Sequence, residues 1–222
     1  MEGEIAELKE QNFIIQTNGQ YTFRHAMLQE TAYGNLLKGT RQKLHVKIGT
    51  AIEEWYKEKL DEYYEILAFH YARGELPKKA FFYQRKAADK ARSLYDNEDA
   101  SNLYKEALLS LAMLPDDVEH QGMRIDVLSD QAHIFRLVGR VTEALENYHN
   151  SLSLSKEIGD RQRIAKSLSN LSTAQYLLGK YREALTSIEE ALKISQEVND
   201  KEMEAKAHNN LGSIYGSQGQ YQ

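Results

Sequence analysis

The segment Gly139-Arg140-Val141-Thr142-Glu143-Ala144-Leu145 returns forty residues later as Gly179-Lys180-Tyr181-Arg182-Glu183-Ala184-Leu185, and Gly219-Gln220-Tyr221 opens a third copy at the same offset. The stretches between them repeat as well. Asp160, Ala165, Lys166, Asn170 and Leu171 come back as Asp200, Ala205, Lys206, Asn210 and Leu211. A fixed period in the range of roughly 20 to 50 residues restricts the chain to stacked copies of one supersecondary unit, because a single copy cannot bury its outer face alone.

Within a copy the apolar residues Tyr181, Ala184, Leu185, Ile188, Ala191, Leu192 and Val198 fall at three- and four-residue steps, the mark of an amphipathic helix. The preceding stretch, 164–178, does the same through Ile164, Ala165, Leu168, Leu171 and Leu178, and Gly179 supplies its stop. Each copy is therefore predicted to be two antiparallel helices. Ala144, Ala184 and Ala191 mark close approaches, while Tyr148, Leu152, Ile188 and Leu192 fill the space between. Pro77 and Pro115 are the only prolines, and helix-forming residues dominate from Arg41 onward.

Composition narrows the function classes. With 41% hydrophobic and 27% charged residues over 222 positions, the chain is an ordinary globular one. Its net charge of −5 comes from 33 acidic and 28 basic residues intermixed, so there is no basic stripe to neutralise phosphates, and nucleic acid is not an expected partner. No cysteine is present, which removes disulfides and thiolate chemistry and makes a reducing compartment, the cytoplasm, the expected location. The most apolar stretch, 107–114, is far shorter than the roughly 20 residues that span a bilayer, and Met1-Glu2-Gly3-Glu4 is acidic where a signal peptide would be basic. No membrane association is expected.

Catalytic and metal patterns are missing. His25, His45, His70, His120, His133, His149 and His208 include no pair three or four apart, so a helical metal motif is lacking. Glu53-Glu54, Asp116-Asp117 and Glu189-Glu190 are adjacent and point apart around a helix, which does not suit two-carboxylate chemistry. The expectation is a binding protein without enzymatic activity, cofactor or metal. The aromatic run Tyr63, Tyr64, Phe69, Tyr71, Phe81, Phe82 and Tyr83 is expected to be core.

Asn210-Leu211-Gly212-x-x-Tyr215-x-x-x-Gly219-x-Tyr221 and Gly179-x-Tyr181-x-x-Ala184 resemble the tetratricopeptide repeat. The period exceeds the usual value of about 34 residues and is similar to the longer variant of cell-polarity adaptors and kinesin light chains. Upstream, Tyr95 to Ala100 with Tyr104, Ala107 and Leu108 resemble a second repeat helix, whose partner would span about 78–94. A pair near 41–60 and 62–73 is helical but lacks signature residues. The resemblance implies an all-α, right-handed superhelix of helical hairpins. It divides the chain into an N-terminal unit at 1–38, a helical adaptor of degenerate repeats at 39–94, and repeats at 95–222, the last of them truncated. The end around Leu211, Ile214 and Tyr215 would then lack its covering helix and either fray or pair with another copy of the chain.

The N-terminal unit has its own pattern. Phe13 to Gln16 and Tyr21 to Arg24 read as two short strands around Asn18-Gly19, which supplies the positive φ angles of a tight hairpin. The block Tyr21-x-Phe23-Arg24-His25-Ala26-Met27-Leu28-Gln29-Glu30-x-Ala32-Tyr33-x-x-Leu36-Leu37, followed by Arg41-x-x-Leu44-His45, resembles the junction after the ATPase core in large bacterial signalling ATPases of the multidomain STAND type. That resemblance implies a winged-helix-like remnant leading into helical repeats. The Gly-x-x-x-x-Gly-Lys loop of those ATPases is absent, so ATPase activity does not carry over. Glu4, Glu7, Glu10 and Glu30 beside the hairpin oppose a DNA-reading role.

In such a solenoid the first helix of each pair lines the concave side. Candidate groove residues are Lys166, Ser169, Asn170, Thr173 and Tyr176 in one copy. The next copy offers Lys206, Asn209, Asn210 and Ser213, and the preceding one Asp126, Ser129, Asp130, His133 and Arg136. Asn170 and Asn210 stand out because an amide offers both donor and acceptor to the backbone of an extended peptide. Two uses are open for each amide, reading a peptide or bonding a neighbouring helix. Lys166 and Lys206 favour an acidic partner, Asp126 and Asp130 a basic one. The expected function is a peptide- or protein-binding sensor arm; the alternatives are a small-effector sensor and a self-association module.

Overall fold

The computed structural model describes residues 2–17 and 19–217. Helix α1 (Glu2–Glu10) leads into an antiparallel hairpin, β1 (Ile14–Thr17) and β2 (Gln20–Phe23), and then α2 (Ala26–Gly34). The α-helices that follow among the described residues are α3 (Lys38–Trp55), α4 (Tyr64–Arg73), α5 (Pro77–Ser93), α6 (Asn97–Leu111), α7 (Val118–Leu137), α8 (Val141–Glu157), α9 (Arg161–Leu177), α10 (Tyr181–Glu197) and α11 (Lys201–Ser217). Consecutive helices from α3 onward pack on one another as successive hairpins, and α9 also touches α7 and α11, so the described chain is an all-α solenoid of the tetratricopeptide type with a two-stranded sheet at its start.

The same stops and starts recur. Gly139 and Gly179 adopt φ of +81° and +73°, which lets the N–H groups of Arg140 and Lys180 reach back to the carbonyls of Phe135 and Gln175 and close α7 and α9. At the other type of turn Gly159 (φ +72°) is replaced one repeat later by Asn199 (φ +58°), since asparagine tolerates the left-handed region better than most residues. Asp96, Asp117, Asp160 and Asp200 each accept a backbone N–H three residues on, capping α6, α7, α9 and α11.

The core runs through the stack as linked clusters. Ala184, Ile188, Ala191 and Ile194 of α10 meet Ile164, Ala165 and Leu168 of α9 and Met203, Ala207 and Ile214 of α11. Ala132, Ala144, Tyr148, Leu171 and Ala174 join α7, α8 and α9. Buried serines add a polar thread, Ser129 to Ser151 at 2.9 Å and Ser151 to Ser167 at 2.8 Å, tying α7, α8 and α9 where Cβ-sized residues leave the helices close. At the end of α11, Ile214 is buried in the α9–α10–α11 cluster, while Tyr215 is exposed. Gly219 and Tyr221, on which the third copy of the motif rests, lie outside the described residues, as does Asn18.

The first helical pair departs from the expected two continuous helices. α3 ends at Trp55, and residues 57–62 form a 3₁₀ segment with a non-helical Lys59. Tyr56 and Tyr63 stack across this segment at 4.2 Å, and Leu60 packs into the cluster of Leu67, Ala68, Tyr71, Ala80 and Tyr83. Of the aromatic run, Tyr71 and Tyr83 are core, whereas Phe69 and Phe82 are about half exposed.

A short polar relay joins α2 to this pair. The hydroxyl of Tyr33 is 2.9 Å from His45 Nε2, and His45 Nδ1 is 2.9 Å from His70 Nδ1. One proton between the two Nδ1 atoms satisfies both, whereas protonating both rings sets two N–H donors against each other. Burial, with Arg73 nearby, holds His45 below its ordinary pKa; burial and then His45 do so for His70. The unfolded chain therefore takes up protons first as the pH falls, so stability is intact above the unfolded value of 6.5 and declines below it. We expect a urea midpoint that drops between pH 7.5 and 5.5, by up to about 1.4 kcal/mol per pH unit for each histidine, and a weaker drop in His45→Phe.

Candidate functional site

Helices α7, α9 and α11 are the first members of successive pairs, and the forty-residue period aligns their positions in rows. Asp126, Lys166 and Lys206 form one row, Asp130, Asn170 and Asn210 a second, Ser129, Ser169 and Asn209 a third, and His133, Thr173 and Ser213 a fourth. The structure brings neighbouring rows into contact from α9 to α11. Asn210 Nδ2 donates to Thr173 Oγ1 at 3.2 Å and more weakly to Ser169 Oγ at 3.4 Å, and Thr173 Oγ1 donates to the Ser169 carbonyl. Asn210 is thus engaged with the neighbouring helix.

Asn170 behaves differently. At the matching positions on α7, Ser129 is bonded to Ser151, and His133 Nδ1 accepts from Arg136 at 3.0 Å. Asn170 is half-buried and makes no side-chain hydrogen bond within the described residues. Lys166, one turn earlier on the same helix, is exposed and also without an intramolecular partner there, whereas Lys206 pairs with Glu202 at 2.6 Å. Asn209 is exposed, and Ser213 donates to its carbonyl at 3.0 Å.

The two aspartates are tied into the scaffold. Asp130 accepts from Arg85 at 2.5 Å and Arg92 at 3.0 Å, both on α5, and Asp126 accepts from Arg163 of α9 at 2.9 Å. Arg163 also reaches Asp160 at 2.6 Å, and this pair of carboxylates pushes its pKa up. These aspartates therefore hold successive helices together, and the basic-partner preference inferred from them does not follow from the geometry. Asp89 continues the network by accepting from the buried Tyr104 hydroxyl at 2.7 Å. His133 is held below its ordinary pKa by burial and by Arg136 and Arg92, so it stays neutral and serves as the acceptor for Arg136.

Sequence reasoning missed Arg85, Arg92 and Arg163. Arg85, Asp89 and Arg92 are spaced four and three apart on α5, a single charged face on an alanine-rich helix, and that spacing was a usable signal. Between α9 and α11 lies a cavity of about 150 Å³ lined by Thr173, Tyr176, Asn210 and Ser213 among others. Tyr176 closes one side by bonding Ser217 at 2.7 Å. Among the described residues no helix is long and apolar enough to cross a membrane.

Comparison with known proteins agrees with this architecture. The tetratricopeptide repeat profile matches residues 124–197, and a profile for anaphase-promoting complex subunit 5 matches residues 83–136. No curated protein matches the sequence. Among solved structures, the apo form of RapI is similar at a TM-score of 0.65 and 19% identity, covering 88% of this chain and 54% of RapI. A putative kinesin light chain repeat protein from Podosopora anserina gives 0.59 and 16%, covering 84% and 90%. BtubC from P. vanneervenii gives 0.54 and 22%, covering 83% and 68%. This chain thus spans about half the length of RapI. The segment that matches the tetratricopeptide repeat profile carries α8, α9, α10 and most of α7, and the helices on either side extend the same solenoid.

Proposed function

We propose that the solenoid is a protein-interaction scaffold that binds an extended peptide or protein segment along α7, α9 and α11, and that it serves as the recognition arm of a larger signalling ATPase. The observation that carries the binding part is Asn170, a half-buried amide with no partner among the described residues, next to the unpaired Lys166. An amide left open on a repeat face can both donate to and accept from a peptide backbone, and the lysine adds preference for an acidic residue or a carboxylate. A Rap protein of similar fold, at 20% identity, was solved in complex with a competence and sporulation factor, which supports ligand binding as a use of this architecture. A small-effector site on this face is less favoured, because the cavity of about 150 Å³ beside Asn210 is below the roughly 300 to 1,000 Å³ of typical small-molecule pockets. It suits a single side chain of a longer ligand.

The ATPase part rests on the resemblance carried by residues 21–45. A nucleotide-binding loop encoded upstream in the same reading frame is expected, and an upstream region without one overturns that part. The binding part is tested by affinity capture from lysate of the source cell with the wild-type chain, Asn170→Ala and Asn210→Ala. Loss of the two bonds Asn170 can offer is expected to weaken retention of the captured protein about tenfold. Asn210→Ala is expected to lower stability by about 1 kcal/mol with retention largely kept. Equal retention by wild type and Asn170→Ala would move the ligand off this face.

A further inference from the structure

A second recognition surface lies away from that face. Helices α4 and α6 both pack on α5, and the gap between them opens into a cleft of about 660 Å³. Its walls carry apolar side chains that the fold leaves uncovered: Phe69 is 52% exposed, Leu109 62% and Met113 64%. Glu65 stands one turn before Phe69 on α4, and Glu106 stands one turn before Leu109 on α6, so both walls present the same order of acid then apolar residue. Neither carboxylate has an intramolecular partner among the described residues. Of the other charges in the lining, Glu75 pairs with Lys38 at 2.6 Å and the Arg73 guanidinium lies over the Phe69 ring, so the two rim acids outnumber the single unpaired cation.

The floor contains a donor without an acceptor. Gln84 of α5 is only 3% exposed, and its Oε1 accepts from Ser110 at 2.7 Å. Its amide N–H groups have no partner among the described residues, and the side chain lines the cleft. The amide nitrogen is open to the cleft, where water or a ligand can accept from it. Exposed apolar walls, a donor at the base and unpaired acids at the rim together describe a ligand.

We propose that the α4–α5–α6 cleft docks an amphipathic segment of another protein, one that inserts a bulky apolar side chain between Phe69 and Leu109, offers a carbonyl to Gln84 and sets a Lys or Arg against Glu65 and Glu106. Charge selects the occupant. A segment flanked by acids meets two unneutralised carboxylates, whereas a basic residue one turn from the apolar anchor matches both walls. This surface is independent of Asn170, so one chain can hold two partners at once.

The test is selection of twelve-residue peptides from a random display library on the wild-type chain, followed by binding measurements on individual peptides. Two variants separate the contributions: Glu65→Lys/Glu106→Lys reverses the rim, and Leu109→Asp spoils a wall. All three substituted side chains are exposed, and unchanged helicity and melting temperature verify the fold. The expected result is a set of enriched peptides with a Leu, Phe or Met three or four residues from a Lys or Arg. These should bind either variant at least about tenfold more weakly and be indifferent to Asn170→Ala. Peptides without that pattern, peptides that bind the variants as tightly as wild type, peptides lost in Asn170→Ala, or no enrichment at all would each overturn the proposal. The Asn170 arm keeps its failure distinct from failure of the groove on α7, α9 and α11.

Discussion

Raising the pH past 10 is expected to unfold this protein within about two pH units, with the loss starting in α4, α5 and α6. Four buried tyrosines drive it. Burial pushes the phenols of Tyr71, Tyr83, Tyr104 and Tyr148 above their ordinary pKa of 10.0, and acceptance of the hydroxyl proton by Glu53 (from Tyr83) and Asp89 (from Tyr104) pushes two of them further. Each keeps its proton in the fold at a pH where the unfolded chain loses it. Unfolding then releases protons, so the tyrosines leave stability unchanged below 10 and lower it above. Each tyrosine contributes a slope of about 1.4 kcal/mol per pH unit, and four together roughly 5. A domain with a stability of about 5 to 15 kcal/mol does not survive that slope for long. Far-ultraviolet circular dichroism against pH reads the transition, and a cooperative step in tyrosinate absorbance, the share of these four among the chain's 14 tyrosines, should coincide with it. Tyr104→Phe should reduce the slope above pH 10 by about a quarter; an unaltered slope, or an absorbance curve with no step at the unfolding transition, would show that burial does not hold these protons.

The repeat made the C-terminal helices readable in advance, since the forty-residue self-similarity that marks a stop at Gly179 carries it back to Gly139, where the structure has both; that Asp160 and Asp200 recur because they cap α9 and α11 came only with the structure. Period alone was blind to what differs between equivalent positions. Asn170 and Asn210 occupy the same place in successive copies, yet Asn210 bonds Thr173 and Ser169, while on α7 Ser129 pairs with Ser151 and His133 with Arg136 and neither bonds Asn170. Asp126 and Asp130 were legible as groove residues but not as clamps, because Arg163, Arg85 and Arg92 lie 37, 45 and 38 residues away in the chain. The break after Trp55 was invisible for a related reason. Lys57 to Leu60 has no proline or glycine to announce it, and the 3₁₀ segment exists because Tyr56 stacks on Tyr63 and Leu60 reaches the α4–α5 core.

These differences matter for function because the two candidate surfaces arise where the repeat departs from self-complementarity. On α9 the departure is an amide without a mate. Between α4 and α6 it is an apolar wall without a cover, in the part of the chain where the sequence signature fades. A solenoid that satisfied every position alike would have no such openings, since each unit would consume the contacts its neighbour offers.

Ile188→Ala is expected to cost about 2 to 5 kcal/mol and to free the C-terminal helices while leaving the N-terminal ones folded. Ile188 is fully buried on α10, between the apolar faces of α9 and α11. Its neighbours Ala184, Ala191, Ala165 and Ala207 are too short to move into the space a truncated side chain leaves, so the cavity persists and the cost lies beyond simple loss of burial. In a stacked array each unit is held by its nearest neighbours, so the deficit falls on the α9–α10 and α10–α11 contacts and is not shared along the chain. Hydrogen exchange should therefore speed up over residues 181–217 while the amides of α5 and α6 keep their protection. A uniform loss of protection would mean that the solenoid folds as one cooperative block, and unchanged exchange would mean that α11 and Ile214 repack over the gap. The local outcome also predicts separability: a ligand held by Asn170 on α9 should dissociate faster from Ile188→Ala, whereas one held between α4 and α6 should not notice the change.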